Sequence, residues 1–232
     1  MSKTSIVLTA YNRIDDTLRC LTSLNGLRDQ ETEILLMHDH HHSSEQLREE
    51  CSAMGIKYIH SGRQKGGKEI WRVPGFALNI GVRQSSGSNL IIGNSEILVT
   101  HPLQDQIQVI EEGYLCSPKI LAENVGVEHY YRSFLPFFLG LPREVFESIG
   151  GYDEDFTGTW YDDDDFILRA GTKAQFVELP HVAVHLEHNR ANGQMHVHES
   201  AAEYNRKLFE QRKGIVVRNQ HISWGQLDKE YN

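Results

Sequence analysis

Ser5-Ile6-Val7-Leu8-Thr9-Ala10, running directly into Tyr11-Asn12-Arg13, is the stretch that decides the architecture of this chain. Six uncharged residues, mostly apolar or β-branched, give way to a polar turn, the pattern of a strand buried on both faces. Ile14, Leu18, Leu21 and Leu24 then recur at helical spacing, with Asp15 and Asp16 near the start. A second buried strand, Glu33 to Met37, empties into His38-Asp39-His40-His41-His42-Ser43-Ser44. A helix over Glu45 to Met54 and a short strand over Lys57 to Ile59 follow. Strands alternating with helices build a mainly parallel sheet with helices on its faces, and such sheets bind ligands at the carboxyl ends of their strands. Residues 11–13 and 38–44 are two such ends.

Further along, Gly62 to Gly67 reads as a loop, Pro74 to Ser85 as a helix and Asn89 to Gly93 as another buried strand. That strand ends in Asn94-Ser95-Glu96, a third loop at the same sheet edge. Helices are expected over Pro102 to Glu112 and Arg143 to Ser148, and short strands near Tyr114 and Phe137. Two more strands, Gln175 to Glu178 and Val182 to His185, precede a charged helix over Glu199 to Lys213. No internal repeat or linker divides the 232 residues.

Net charge is −9, which argues against a nucleic-acid surface or an anionic membrane face. A phosphate-bearing ligand would need local basic residues or a bridging metal. Cys20, Cys51 and Cys116 are odd in number and form no CxxC pair, which fits a reducing compartment. The apolar run Phe134 to Leu141 is too short to span a bilayer and contains Pro136. No signal-peptide pattern follows Met1, so the expected location is cytoplasmic, leaving room for a peripheral membrane contact.

Trp160-Tyr161-Asp162-Asp163-Asp164-Asp165-Phe166, closed by Arg169, is the densest charge cluster. Carboxylates anchored at the edge of a core acquire shifted pKa values and do acid/base work. The same residues also suit the first turn of a helix, where the dipole favours Asp. Asp153-x-Asp155-x-Thr157-Gly158-x5-Asp164 approximates a calcium loop, but Gly150-Gly151 breaks the helix that should enter it. Glu96, and Asp39 on the neighbouring strand end, are carboxylate candidates; His185 and His188 form an HxxH after a strand. Carboxylate oxygen with imidazole nitrogen suits Mn²⁺, Mg²⁺ or Zn²⁺. His38, His40, His41 and His42 lack metal-site spacing and read as loop residues near a ligand.

Four segments together resemble the family 2 glycosyltransferases of GT-A fold: Ser5 to Arg13; the strand ending at His38-Asp39; Ala77-Leu78-Asn79-Ile80-Gly81 with Gly87; and Gly151-Tyr152-Asp153-Glu154-Asp155-Phe156 with Trp160 to Arg169. The resemblance covers about residues 4–190 and implies an α/β fold, a GT-A domain over 1–232. Within it, about 1–100 would form the nucleotide-binding half, about 101–200 the acceptor half, and 200–232 a C-terminal helix and tail. It further implies inverting transfer of a sugar from a nucleotide-diphosphate donor, a UDP-sugar by preference, to a glycan or lipid-linked sugar, as in polysaccharide biosynthesis.

Asp163 falls at the family's base position, with Asp162 beside it on the acceptor side and Trp160 packing on a sugar face. Thr9, Tyr11, Arg13, Asp39, Arg72 and Asn79 are the implied donor-binding residues, with Arg190 a further phosphate contact. Glu96, His185 and His188 would hold a divalent cation, Mn²⁺ or Mg²⁺. Asp164 is expected to be solvated, and Asp165 to hold the loop against arginine or backbone partners. One departure stands out: the family's Asp-x-Asp metal motif is replaced by Asn94-Ser95-Glu96.

Two other classes compete. A nucleotidyltransferase would want a glycine-rich, arginine-bearing loop after the first strand, and Thr9-Ala10-Tyr11-Asn12 is not one. A non-catalytic sugar-, nucleotide- or calcium-binding module of the same fold is the other, and sugar transfer in the presence of Mn²⁺ would exclude it.

Overall fold

A computed structural model describes residues 3–40, 42–62, 64–65, 68–69, 73–123, 135–158, 160–187 and 195–227. In chain order its elements are β1 (Thr4–Ala10), α1 (Ile14–Asn25), β2 (Thr32–His38), α2 (Glu45–Ala53), β3 (Lys57–His60), β4 (Gln64–Lys65), β5 (Lys68–Glu69), α3 (Pro74–Gln84) and β6 (Asn89–Asn94). There follow β7 (Ile97–Val99), α4 (Leu103–Glu111), β8 (Leu115–Ala122), β9 (Phe138–Pro142), α5 (Arg143–Ser148), α6 (Asp162–Ala170), β10 (Phe176–His185) and α7 (Met195–Arg212).

Eight strands form one sheet in the order β3-β2-β1-β6-β9-β8-β10-β7. β3, β2, β1 and β6 run parallel, as the strand–helix alternation requires. β9 reverses direction between β6 and β8, β10 runs parallel to β8, and β7 is antiparallel to β10. Side chains alternate across the sheet. Ile6, Leu8, Ile34 and Leu36 face a layer with Leu21 and Leu24 of α1, Leu47 of α2 and Leu103 of α4. Val7, Leu35, Met37 and Ile92 face Ala77 and Ile80 of α3, Phe146 of α5 and Phe166 of α6. Burial on both faces is why β1 and β6 carry almost no charge.

Three expectations from sequence need correction. The strands expected at 175–178 and 182–185 are one ten-residue strand whose register shifts between Glu178 and Val182. Pro180 lies within that shift, and its missing N–H cannot serve the ladder. In the stretch expected as a loop, Gln64-Lys65 pairs antiparallel with Lys68-Glu69. α7 begins at Met195, ahead of the expected start at Glu199.

Gly75 marks where α3 meets the acidic loop: a Cβ there would lie 2.3 Å from Cδ1 of Tyr152. Tyr152 is fully buried and stacks on Phe166 at 4.2 Å between ring centroids, so the ring has nowhere to retreat. Gly75→Ala is expected to cost about 2 kcal/mol through overpacking. Thermal unfolding should show this as a fall in Tm of about 4–8 °C.

Candidate active site

The loops at the carboxyl ends of β1, β2 and β6 meet. Ser95 N–H donates to Thr9 O at 2.9 Å, and Asp39 N–H to Ala10 O at 2.7 Å. The hydroxyls of Thr17 and Ser95 lie 2.8 Å apart, tying α1 to the β6 loop. Thr9 is buried at the end of its strand. Asp39 is buried too, and Ser61 Oγ donates to its Oδ1. His38 proves to be a buried strand residue and not a loop residue, because it closes β2. Its Nε2 lies 3.0 Å from Tyr11 O, which only accepts, so Nε2 carries the proton and Nδ1 accepts from Tyr58 Oη at 2.8 Å. Burial above all holds the His38 imidazole down at about 4, hence neutral. His40 lays its ring against Tyr11, 4.9 Å between centroids. His41 lies outside the described residues.

Glu96 is the junction of the second group. Arg13 Nη1 bonds its Oε1, and His185 Nε2 stands 3.7 Å from its Oε2. Asn94 takes no ligand position: its Oδ1 accepts from Glu96 N–H at 3.2 Å and shapes the turn. His185 is held by an edge contact to Phe137 at 4.9 Å and by pairing of β10 with Ile97 of β7. A divalent ion about 2.0–2.2 Å from each ligand can bridge an oxygen and a nitrogen at that separation, so Glu96 and His185 fit as two ligands. Among the described residues no three His, Cys, Asp or Glu side chains cluster as a fuller site. His188, the expected third ligand, and Arg72 and Arg190, expected on the donor, lie outside the described residues.

The acidic run opens α6 on the same sheet edge. In a parallel sheet, a helix entering a strand begins near the carboxyl ends, and Val73, just before α3, packs with Phe156, Leu208 and Tyr161. Trp160 and Tyr161 both take left-handed backbone angles, φ 78° and 71°, rare for bulky residues. Trp160 is thereby left 61% exposed beside the carboxylates. Asp162 is buried and Asp163 partly so, while Asp164 is exposed and Asp165 is buried. Burial first, then Asp164 and Asp165, pushes the Asp162 carboxyl up to about 6. Burial, then Asp162 and Asp164, holds the Asp163 carboxyl well above the usual carboxylate range. Tyr152 Oη stands 3.5 Å from Asp163 Oδ1, at the outer limit of a hydrogen bond.

Asp165 accepts from Arg169 Nε at 2.7 Å and from Arg218 Nη2 at 2.5 Å. Arg169 also donates to the carbonyls of Ile149 and Gly151. Arg218 Nε lies 2.9 Å from Asp153 Oδ2, too poorly aligned for a hydrogen bond but close enough for charge neutralisation. Arg212 pairs with Asp153 and Asp155. These pairings dispose of the calcium-loop reading, because Asp153 and Asp155 are already matched by arginine.

Asn79 requires another correction. It is fully buried, donating to Tyr152 O and Glu154 Oε1 and accepting from Tyr152 N–H. It fastens α3 to the acidic loop, so the donor-binding expectation does not fit its placement. Sequence reading also passed over Asn205, Arg218 and Asn219, which hold this loop from α7 and the tail. A charged helix followed by an irregular tail carries no motif that would have revealed them.

Residues 5–168 match the model of Glycosyl transferase family 2. The chain belongs to that family. Solved structures with the same fold include S. aureus TarS 1–349 with UDP, at 16% identity and TM-score 0.62, covering 80% of this chain and 60% of that one. Glucosyl-3-phosphoglycerate synthase from Mycobacterium tuberculosis, with phosphoglyceric acid, gives 16% identity, TM-score 0.63 and coverage of 92% and 81%. The mannosyltransferase PcManGT from Pyrobaculum calidifontis, with GDP-Man and Mn²⁺, gives 13% identity, TM-score 0.63 and coverage of 92% and 65%. Comparison with curated proteins finds no match. This member of the family has the expected α/β, GT-A-like sheet, and it spans less than two thirds of the length of TarS 1–349. Among its described residues, no helix is long and apolar enough to cross a membrane.

Proposed function

We propose that this chain transfers a sugar, with inversion, from a nucleotide-diphosphate donor to a hydroxyl of a glycan or lipid-linked sugar. The observation that carries this reading is the Asp162–Asp163 pair, whose carboxyls are raised by burial at the ligand-binding edge of the sheet. An attacking hydroxyl must lose its proton, and a carboxylate raised toward working pH is a better acceptor than an ordinary one. Asp163, the more exposed of the pair, takes that proton at a carboxylate oxygen, while Asp162 orients the acceptor. Trp160 offers a face on which the acceptor sugar packs. On this reading Tyr11, Thr9 and Asp39 serve the nucleoside side, and Arg13, which bonds Glu96, also meets the diphosphate.

A divalent cation, Mn²⁺ or Mg²⁺, would be held by Glu96 and His185, with His188 as further ligand, and would offset charge on the departing diphosphate. UDP in TarS and GDP-Man with Mn²⁺ in the mannosyltransferase support a nucleoside-diphosphate donor, a UDP-sugar first.

Incubation with UDP- and GDP-sugars, with and without Mn²⁺, should release nucleoside diphosphate and raise thermal stability for the preferred base. Absence of both release and stabilisation with every donor would refute the reading. For Glu96→Gln, the Mn²⁺ concentration needed for half-maximal donor affinity is expected to rise at least about tenfold. An unchanged titration would remove Glu96 from the cation site.

A further inference from the structure

The turn that carries Trp160 and Tyr161 into α6 is held from outside the residues matched by the family. Asn205 of α7 is completely buried, and its side chain is spent on this turn. Its Oδ1 accepts from Thr157 N–H at 3.0 Å, and its Nδ2 donates to Thr157 O at 2.6 Å and Trp160 O at 3.0 Å. Phe209, one helical turn on, sets its ring 5.5 Å from that of Tyr161. Leu208 packs with Val73 and Phe156, and Arg212, one turn further, pairs with Asp153 and Asp155. Spacings of four and seven place Asn205, Phe209 and Arg212 on one face of α7, turned to the acidic loop.

Two bulky residues in succession at positive φ are strained and persist only where their surroundings over-determine them. Asn205 supplies that constraint, with two hydrogen bonds to Thr157 and one to the carbonyl of Trp160. Were the turn to relax, Trp160 would leave its exposed position and the backbone entering Asp162 would rotate, moving both carboxylates.

We propose that Asn205 is a positioning residue for transfer: by pinning Thr157 and Trp160 it holds the strained Trp160-Tyr161 turn that aims Trp160, Asp162 and Asp163 at the acceptor. This rests on the acid-pair reading above. It assigns to α7 a part in acceptor alignment and leaves donor binding to the strand-end loops.

In Asn205→Ala, kcat is expected to fall about 100-fold, as a misplacement on the order of 1 Å would produce. The KM for donor should stay within about threefold, since no donor-side residue contacts Asn205 among the bonds given above. Adding Tyr161→Gly, which takes positive φ without strain, should restore kcat at least about fivefold. Should Asn205→Ala fail to fold, Asn205→Asp keeps the volume and the acceptor for Thr157 N–H, and the same kinetics are expected. Wild-type kcat in either variant would overturn the proposal. So would a joint loss of kcat and donor affinity that Tyr161→Gly does not relieve, because that pattern is general damage. Asp163→Asn run in parallel separates the two readings. If it is inactive while Asn205→Ala is fully active, only the positioning role fails; if it keeps full activity, the acid-pair reading fails.

Discussion

Asp163→Asn is expected to lower kcat for sugar transfer by about 10²–10⁴-fold, the range removed with a general base. Affinity for nucleoside diphosphate should stay within about twofold, because the proposed donor contacts lie at the ends of β1, β2 and β6. Equal losses in binding and turnover would assign Asp163 a structural role instead. The same variant should be more stable than the parent near neutral pH. Asp162 ordinarily titrates at 3.8 and in the fold at about 6, and Asp163 is shifted in the same direction. A carboxyl whose pKa is raised by folding favours the native state while protonated. That contribution is complete below the unfolded pKa and is lost as pH rises through the folded one. Toward neutral pH, folding must either protonate these crowded carboxyls or bear their charge, and Asp163→Asn removes that cost for one of them. A gain of about 1 kcal/mol, or about 2–4 °C in Tm, is expected at pH 7. At pH 4 the gain should shrink, and thermal scans at the two pH values measure the difference. An equal gain at both would show that desolvated charge is not what loads this site.

Arg169→Leu is the second large effect, and it acts on the fold. Arg169 is buried, with Nε on Asp165 and Nη1 on the carbonyls of Ile149 and Gly151. Its loss takes the side-chain donor from Gly151 O, leaves Ile149 O with only the Arg218 N–H, and makes Asp165 dependent on Arg218. Breaking a buried pair from one side costs about 3–5 kcal/mol. For a chain of this length that is a fall of about 10 °C in Tm. A loss below about 1 kcal/mol would mean that Arg218 alone neutralises Asp165.

Much of the parallel half of the sheet was legible because it follows from patterns of one or two residues. The apolar run Ile6 to Leu8 could only be buried, and the polar turns at residues 11–13 and 94–96 could only lie at strand ends. Asp164 was correctly expected in solvent and Asp165 on arginine, since the second is four residues from Arg169 on a helix. The motif around Asn79 says nothing of direction, and α3 turns this side chain into buried bonds with Tyr152 and Glu154. Pro180 hid the continuity of β10, since a proline reads as a break and here forms only a register shift. Asn205 and Arg218 were invisible for a different reason. Their partners lie 45 and 53 residues away, and no local pattern encodes a contact of that range.

That separation bears on when the site comes into being during synthesis. The strands β1, β2, β3 and β6 can find their partners once the first hundred or so residues have left the ribosome. Asp165 has Arg169 on its own helix, but its second arginine, Arg218, and the arginine partners of Asp153, Arg212 and Arg218, come only at the end of the chain. A nascent chain thus acquires the parallel edge of its sheet early and the full arginine clamp on its acidic loop last, so that a chain interrupted before Arg212 has the sheet without a set acidic loop.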